Sequence, residues 1–147
     1  MTYTIEAEST VTADLQALWQ VVVDVAGWPG WDPHEQAARL DGAFEVGCHG
    51  RSKPAGCPGT EWTITDVVPA ARWASACALP GGGITGVNTF DQLPGGRVRC
   101  SKVMTVSGPL VPLFRLWFGP RIRRDMLRTF AALEAETARR SRTPATE

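Results

Sequence analysis

The sequence predicts an α+β domain, a curved antiparallel sheet of about seven strands around one long C-terminal helix, on three observations. Residues 36–107 are cut into short strands at Gly47, Pro58-Gly59, Pro69-Ala70, Pro80-Gly81 and Pro94-Gly95, the regular punctuation of a meander. The strands alternate apolar and polar residues, so one face of the sheet is oily and the other wet. Finally, Val111, Phe114, Phe118, Ile122, Met126, Phe130 and Leu133 recur at spacings of three and four, the stripe of a helix able to cover that oily face.

The elements follow in order. Residues 3–8 place Tyr3, Ile5 and Ala7 on one side and polar residues on the other, a half-buried first strand. Thr12 is the expected N-cap of a helix over residues 13–23, in which Leu15, Leu18, Trp19 and Val22 keep helical spacing. Two prolines and two glycines in residues 24–33 allow one further short helix and a loop. In the meander, Trp62, Ile64 and Asp66 are expected to share a face. So are Trp73, Ser75 and Cys77; Ile84, Gly86, Asn88 and Phe90; and Val98, Cys100, Lys102, Met104 and Val106. Over residues 109–139, Pro109 and Pro112 suit a first helical turn, and Gly119-Pro120 should kink or interrupt the helix. One domain over residues 1–140 with a frayed polar tail at 141–147 is the expected organisation.

Composition excludes some partners. A chain of 147 residues can bury roughly 68–70% of its unfolded surface without a disulfide or metal. Fifteen Lys and Arg balance fifteen Asp and Glu, leaving no net basic field for nucleic acid. No export signal stands at the N-terminus and no apolar run approaches the ~20 residues of a membrane span, so a cytoplasmic protein without stable membrane insertion is expected. Cys48, Cys57, Cys77 and Cys100 are expected as free thiols; a zinc site from Cys48, His49 and Cys57 is the sharper alternative, though their spacing fits no familiar zinc pattern.

Several residues carry a structural and a functional reading side by side. Trp28 seals the core where the chain turns, while Trp31 stands at the mouth of an interior, an apolar face with one N–H donor. Asp32 and His34 make either a local turn, the carboxylate bonding nearby backbone, or a base pair in which Asp32 orients the His34 imidazole for ring closure or dehydration. Asn88 and Lys102 lie on faces assigned to the interior. Buried lysine is rare unless paired, so Lys102 is a functional amine or a sign of slipped register. Residues 110–118, from Leu110 to Phe118, are apolar nearly all around, as buried packing, a lid or a homodimer surface. Arg121, Arg123, Arg124 and Arg128 form a basic helix face, solvated or turned to an acidic partner or ligand carboxylate.

The opening strand, Ala17-Leu18-Trp19, the Asp24-Val-Ala-Gly-Trp-Pro-Gly-Trp run, Gly47, Glu61-Trp-Thr-Ile-Thr-Asp with Pro69 and Arg72, and Ser107-Gly-Pro occur in an order that resembles the polyketide cyclase/dehydrase and lipid-transport family of the START-like, helix-grip superfamily (SRPBCC). The resemblance implies a cavity between sheet and helix for lipids, polyketides or similar molecules, in a superfamily that shares a pocket without sharing a chemistry. On that basis Trp31, Trp62, Trp73, Phe90, Met104, Phe114, Phe118, Ile122 and Met126 are the expected ligand-lining residues, for transport, sensing or sequestration without a cofactor. The alternative is a cofactor-independent cyclase or dehydratase using His34, Asp32, Asn88 or Lys102; a protein-interaction module is the third reading.

Overall fold

The structure, a computed structural model, describes residues 1–142. The chain forms β1 (Thr2–Thr12), α1 (Leu15–Val23), a 3-10 turn (Val25–Gly27), α2 (Trp28–Trp31), β2 (Glu35–Leu40), β3 (His49–Pro54), β4 (Thr60–Val68), β5 (Arg72–Leu79), β6 (Gly82–Leu93), β7 (Arg97–Ser107), α3 (Val111–Leu113), a π-helical turn (Phe114–Phe118) and α4 (Gly119–Arg142). All seven strands join one antiparallel sheet in the order β1-β7-β6-β5-β4-β3-β2. The sheet curls around α4 in the helix-grip arrangement.

Helix α1 starts later than its sequence suggests. Thr12 still pairs with Arg97 across β1 and β7, and Asp14 caps the helix instead, its carboxylate accepting the Ala17 N–H at 2.9 Å. The expected face assignments hold in β5, β6 and β7: Lys102 stands opposite Ala7 on one side and Asn88 on the other, both inward-facing, so its register is not slipped. In β4 a bulge at Thr65 reverses the alternation. Val67, not Asp66, pairs with inward-facing Trp73, and Asp66 lies on the outer face in an ion pair with Arg72.

Where Pro120 cannot donate to the preceding turn, the helix widens rather than breaks. The Gly119 N–H bonds the Phe114 carbonyl across the π turn, and α4 then runs on through Arg142. Gly119 is required there by close approach, because a Cβ would collide with the Tyr3 hydroxyl. Helix α4 packs most closely on β1 and on α1. Met126, Phe130 and Leu133 are buried, whereas Phe114, Phe118 and Ile122 are half-buried. The helix continues through Ser141 and Arg142, part of the expected tail; residues 143–147 lie outside the described residues.

The far end of α4 is fastened electrostatically. Buried Glu136 accepts two hydrogen bonds from Arg139 at 2.7 Å and one from Arg140 at 2.9 Å, and Arg140 also reaches Asp24 at 3.0 Å. The Arg139 hydrogen bonds, opposed by burial and reinforced by Arg140, push the Glu136 carboxyl down to about 2. A carboxyl whose folded value lies below its unfolded one stabilises the fold above the unfolded value, and that contribution is lost as pH falls through the folded one. Glu136→Gln should therefore cost about 1 kcal/mol in urea melts at pH 7, the scale of charged hydrogen bonds discounted for the solvent around the arginines. The gap between the two proteins should close as pH falls from about 4.5 to about 2.

Candidate functional site

The concave side of the sheet has a filled end and an open one. At the filled end, α1, α2 and the loop after β2 contribute Trp19, Trp28 and Phe44, which pack on Trp62, Trp73 and Phe90. Trp28 stacks on Trp62 with centroids 5.9 Å apart and planes 15° from parallel, and Trp73 meets Trp28, Phe44 and Trp62 at 5.2–6.0 Å. Trp19 meets Phe90 edge-on at 6.0 Å. The indole nitrogens are satisfied: Trp28 Nε1 donates to the Val22 carbonyl at 3.0 Å and Trp62 Nε1 to Ser52 Oγ at 2.9 Å. The Trp62 ring lies across Gly50, where any Cβ would strike it.

Toward the other end, Ser75, Cys77, Ile84, Lys102 and Met104 all point to the concave side, yet each is only half-buried. Gly86 sits among them. A Cβ built there would find only the Lys102 Cε at 3.8 Å and the Ser75 Oγ at 4.0 Å, and no atom of α4. Helix α4 makes its closest backbone approach to β1, and Phe114, Phe118 and Ile122 on its N-terminal side are half-buried. Phe114 and Phe118 pack on each other with centroids 5.2 Å apart, and beside them Leu113, Leu116 and Trp117 are 43, 76 and 74% exposed.

A polar group lies between these ends. Gln36 is the extra residue of a bulge in β2, so that Glu35, and not Gln36, stands opposite Pro54 on the inward face shared by Ala38 and Ser52. Glu35 Oε2 and the nearby Trp31 Nε1 are both buried without a hydrogen-bond partner among the described residues. Burial, and then the charge of Asp32, raise the Glu35 carboxyl to about 7, while Lys102 acts in the opposite sense. The Lys102 amine is lowered by burial, with Glu35 and Asp32 opposing that shift. A carboxyl and an amine displaced toward each other in an interior are the pattern expected of groups retained for binding or proton transfer. Asn88 is buried beside Lys102 in the register and donates to the Trp73 carbonyl at 3.5 Å.

Asp32 is buried, and its Oδ1 accepts the His34 backbone N–H at 2.9 Å; Thr129 Oγ1 on α4 lies 3.2 Å from both carboxylate oxygens. The His34 ring turns elsewhere, with Nδ1 3.4 Å from Asp125 Oδ2 on α4. Sequence reading thus found Asp32, His34, Asn88 and Lys102 but not Glu35, Asp125 or Thr129. A bulge residue such as Gln36 leaves no periodic signature, and the α4 residues are identified only by the groups they face. Beyond His34 the surface opens into a cleft of about 210 Å³ lined by Pro33, His34, Ala55, Arg121, Arg124, Asp125 and Arg128.

Among the described residues, no three His, Cys, Asp or Glu side chains come together as metal ligands, so Cys48, His49 and Cys57 form no such group. His49 Nδ1 lies 3.0 Å from Thr63 Oγ1 on the outer surface. No described helix is long and apolar enough to cross a membrane.

A curled antiparallel sheet that grips a long terminal helix defines the helix-grip fold. Within it, the chain belongs to the polyketide cyclase / dehydrase and lipid transport family, which it matches over residues 2–137. Its fold is similar to that of the Zhui aromatase/cyclase from Streptomyces sp. R1128, with a TM-score of 0.79 and 20% identity over 97% of this chain and 98% of that one. A START superfamily protein from Mycobacterium smegmatis aligns at 0.71 and 11% identity over 92% and 97%. The di-domain ARO/CYC StfQ of the steffimycin biosynthetic pathway aligns at 0.76 and 14% identity over 97% of this chain and 53% of its own. No curated protein matches the chain in sequence.

The electrostatics of the polar group are directly measurable. In ¹³C NMR of side-chain carboxyls, Glu35 should titrate near pH 7. Lys102→Met removes the cation that lowers it and should move the midpoint up; Asp32→Asn removes the charge that raises it and should move the midpoint down.

Proposed function

We propose that the protein takes up a small, largely apolar molecule on the open half of its concave face, for transport, sensing or sequestration. The observation that carries this reading is the missing side chain at Gly86 on the concave face: a Cβ there would meet only Lys102 Cε and Ser75 Oγ within 4 Å, and Ser75, Cys77, Ile84, Lys102 and Met104 around it are half-buried. Met104, Phe114, Phe118, Ile122, Met126 and Trp31 would supply apolar walls, and the packed Trp62, Trp73 and Phe90 a rigid floor. Apolar burial at ~25 cal/mol per Å² gives useful affinity for such a ligand. The unpartnered Trp31 Nε1 and Glu35 Oε2 would fix its one polar end, a donor and a carboxyl waiting for a hydroxyl or carbonyl.

A second reading, cyclase or dehydratase chemistry in the same interior, is favoured by one feature: Glu35 is held near neutrality beside a depressed amine. A carboxyl in that range is able to take a proton from carbon and return it to a leaving hydroxyl, and Lys102 would stabilise the enolate oxygen formed between those steps. Asp32 would position His34 and α4, and Asn88 would hold a substrate carbonyl. Two of the structural neighbours are named as cyclases, at identities that speak to fold alone.

Native mass spectrometry of freshly purified protein, with an uncharged naphthylamine probe titrated by fluorescence, tests the uptake reading. Gly86→Leu should place a bulky side chain on the concave face and weaken the probe at least about tenfold while the melting temperature holds or rises, since a strand glycine is itself weakening. Unchanged probe affinity in that variant would remove the reading. Glu35→Gln separates the two functions: carriage should survive it, turnover of a polyketide-like chain should not.

A further inference from the structure

We propose that the cleft beside His34 is a binding site for a phosphate group, the charged head of a molecule whose apolar part lies in the interior. Only that second clause rests on the uptake reading above.

Arg121, Arg124 and Arg128 recur at spacings of three and four along α4 and therefore share one helix face, and all three line the cleft. Their neighbour Arg123 turns away and donates to the Glu6 carbonyl at 3.1 Å. Arg121 is folded against the loop after β3, where a Cβ on Gly56 would meet its Nη2 at 2.7 Å. None of the three forms an ion pair or hydrogen bond among the described residues, although six arginines elsewhere, Arg39, Arg51, Arg72, Arg99, Arg139 and Arg140, each find a carboxylate. Clustered like charges on one helix face repel, and an anion between them relieves that repulsion.

The acids facing the cleft are few. Asp125 lines it and sits by the His34 ring at 3.4 Å; the Asp32 carboxylate is turned inward to Thr129 and the His34 backbone. Three guanidinium groups less one carboxylate leave a net charge of about +2, which a phosphate dianion balances and a single carboxylate does not. The cleft, about 210 Å³, has room for a phosphate group. His34 lines the cleft and Glu35, the next residue, faces the interior, so the two sites lie one residue apart along the chain.

Phosphate on an apolar molecule has two sources, a soluble phosphate ester or a phospholipid headgroup in a bilayer. Calorimetric titration of the whole protein with inorganic diphosphate, then with dodecyl phosphate below its micelle concentration, tests the site. Both should bind, with affinity falling as salt rises. Dodecyl phosphate should bind the tighter and displace the uncharged naphthylamine probe. The paired substitution Arg124→Gln and Arg128→Gln, on an exposed helix face, should weaken diphosphate at least about tenfold and leave the melting temperature and probe affinity unchanged. Co-sedimentation with phosphatidic acid vesicles, lost in the same variant, would assign the phosphate to a membrane lipid, and its absence to a soluble ester. Failure of both phosphates to bind, or binding that the paired variant leaves intact, overturns the proposal. Probe binding that survives such a failure leaves the uptake reading standing, and diphosphate binding without probe binding removes that reading alone.

Discussion

The two-residue period of the sheet, with one face that must be kept from water, governs where each side chain of the interior stands. Ile5, Ala7 and Val11 on β1, Val98, Cys100 and Val106 on β7 and Phe90 on β6 are buried on one side, and the charged residues between them are solvated on the other. A lysine at an inward position is then a consequence of register rather than of local preference. Lys102 is carried into the interior by Ala7 and Asn88, between which it is paired, and the surrounding chain provides Glu35 and Asp32 as countercharges.

That rule is interrupted twice, and each interruption re-aims an acid. The β4 bulge sends Asp66 outward to an exposed arginine and lets Val67 join the core. The β2 bulge does the reverse, bringing Glu35 inward to a place where its second oxygen has no partner among the described residues. Bulges conserve the fold while moving one functional group from face to face, which is why they recur beside binding sites. The aromatic packing of the filled end makes such a displacement tolerable, since the stability of the sheet rests on Trp62, Trp73, Phe90 and their partners and not on the polar group.

The fold was legible because it depends on period and punctuation. Proline and glycine turns separate the strands where the chain has them, and the stripe from Val111 to Leu133 faces inward with its expected residues. The candidate site was legible only in part. Asn88 and Lys102 could be placed by counting along regular strands, and Asp32 with His34 by their position at a turn. Glu35 could not, because one inserted residue inverts the count and nothing in Glu35-Gln36-Ala37-Ala38 marks it. The partition of the arginines was equally hidden: Arg123 and Arg124 are adjacent in sequence, and the step of about 100° between them around α4 sends one to the Glu6 carbonyl on β1 and the other to the cleft.

The π turn before Gly119 has a reach beyond its five residues. One additional residue in a helical coil rotates the segment before it relative to the segment after it by about 100° about the axis. Val111, fully enclosed, and Met126, on the same stripe, are therefore seated in different angular frames. Deleting a single amino acid in that stretch would take up the slack of the wide turn and leave Val111 and Met126 both seated, whereas the same deletion in the regular coil after Gly119 would twist Val111 out of its socket. The wide turn is thus an angular coupling between the oily entrance and the cationic shaft.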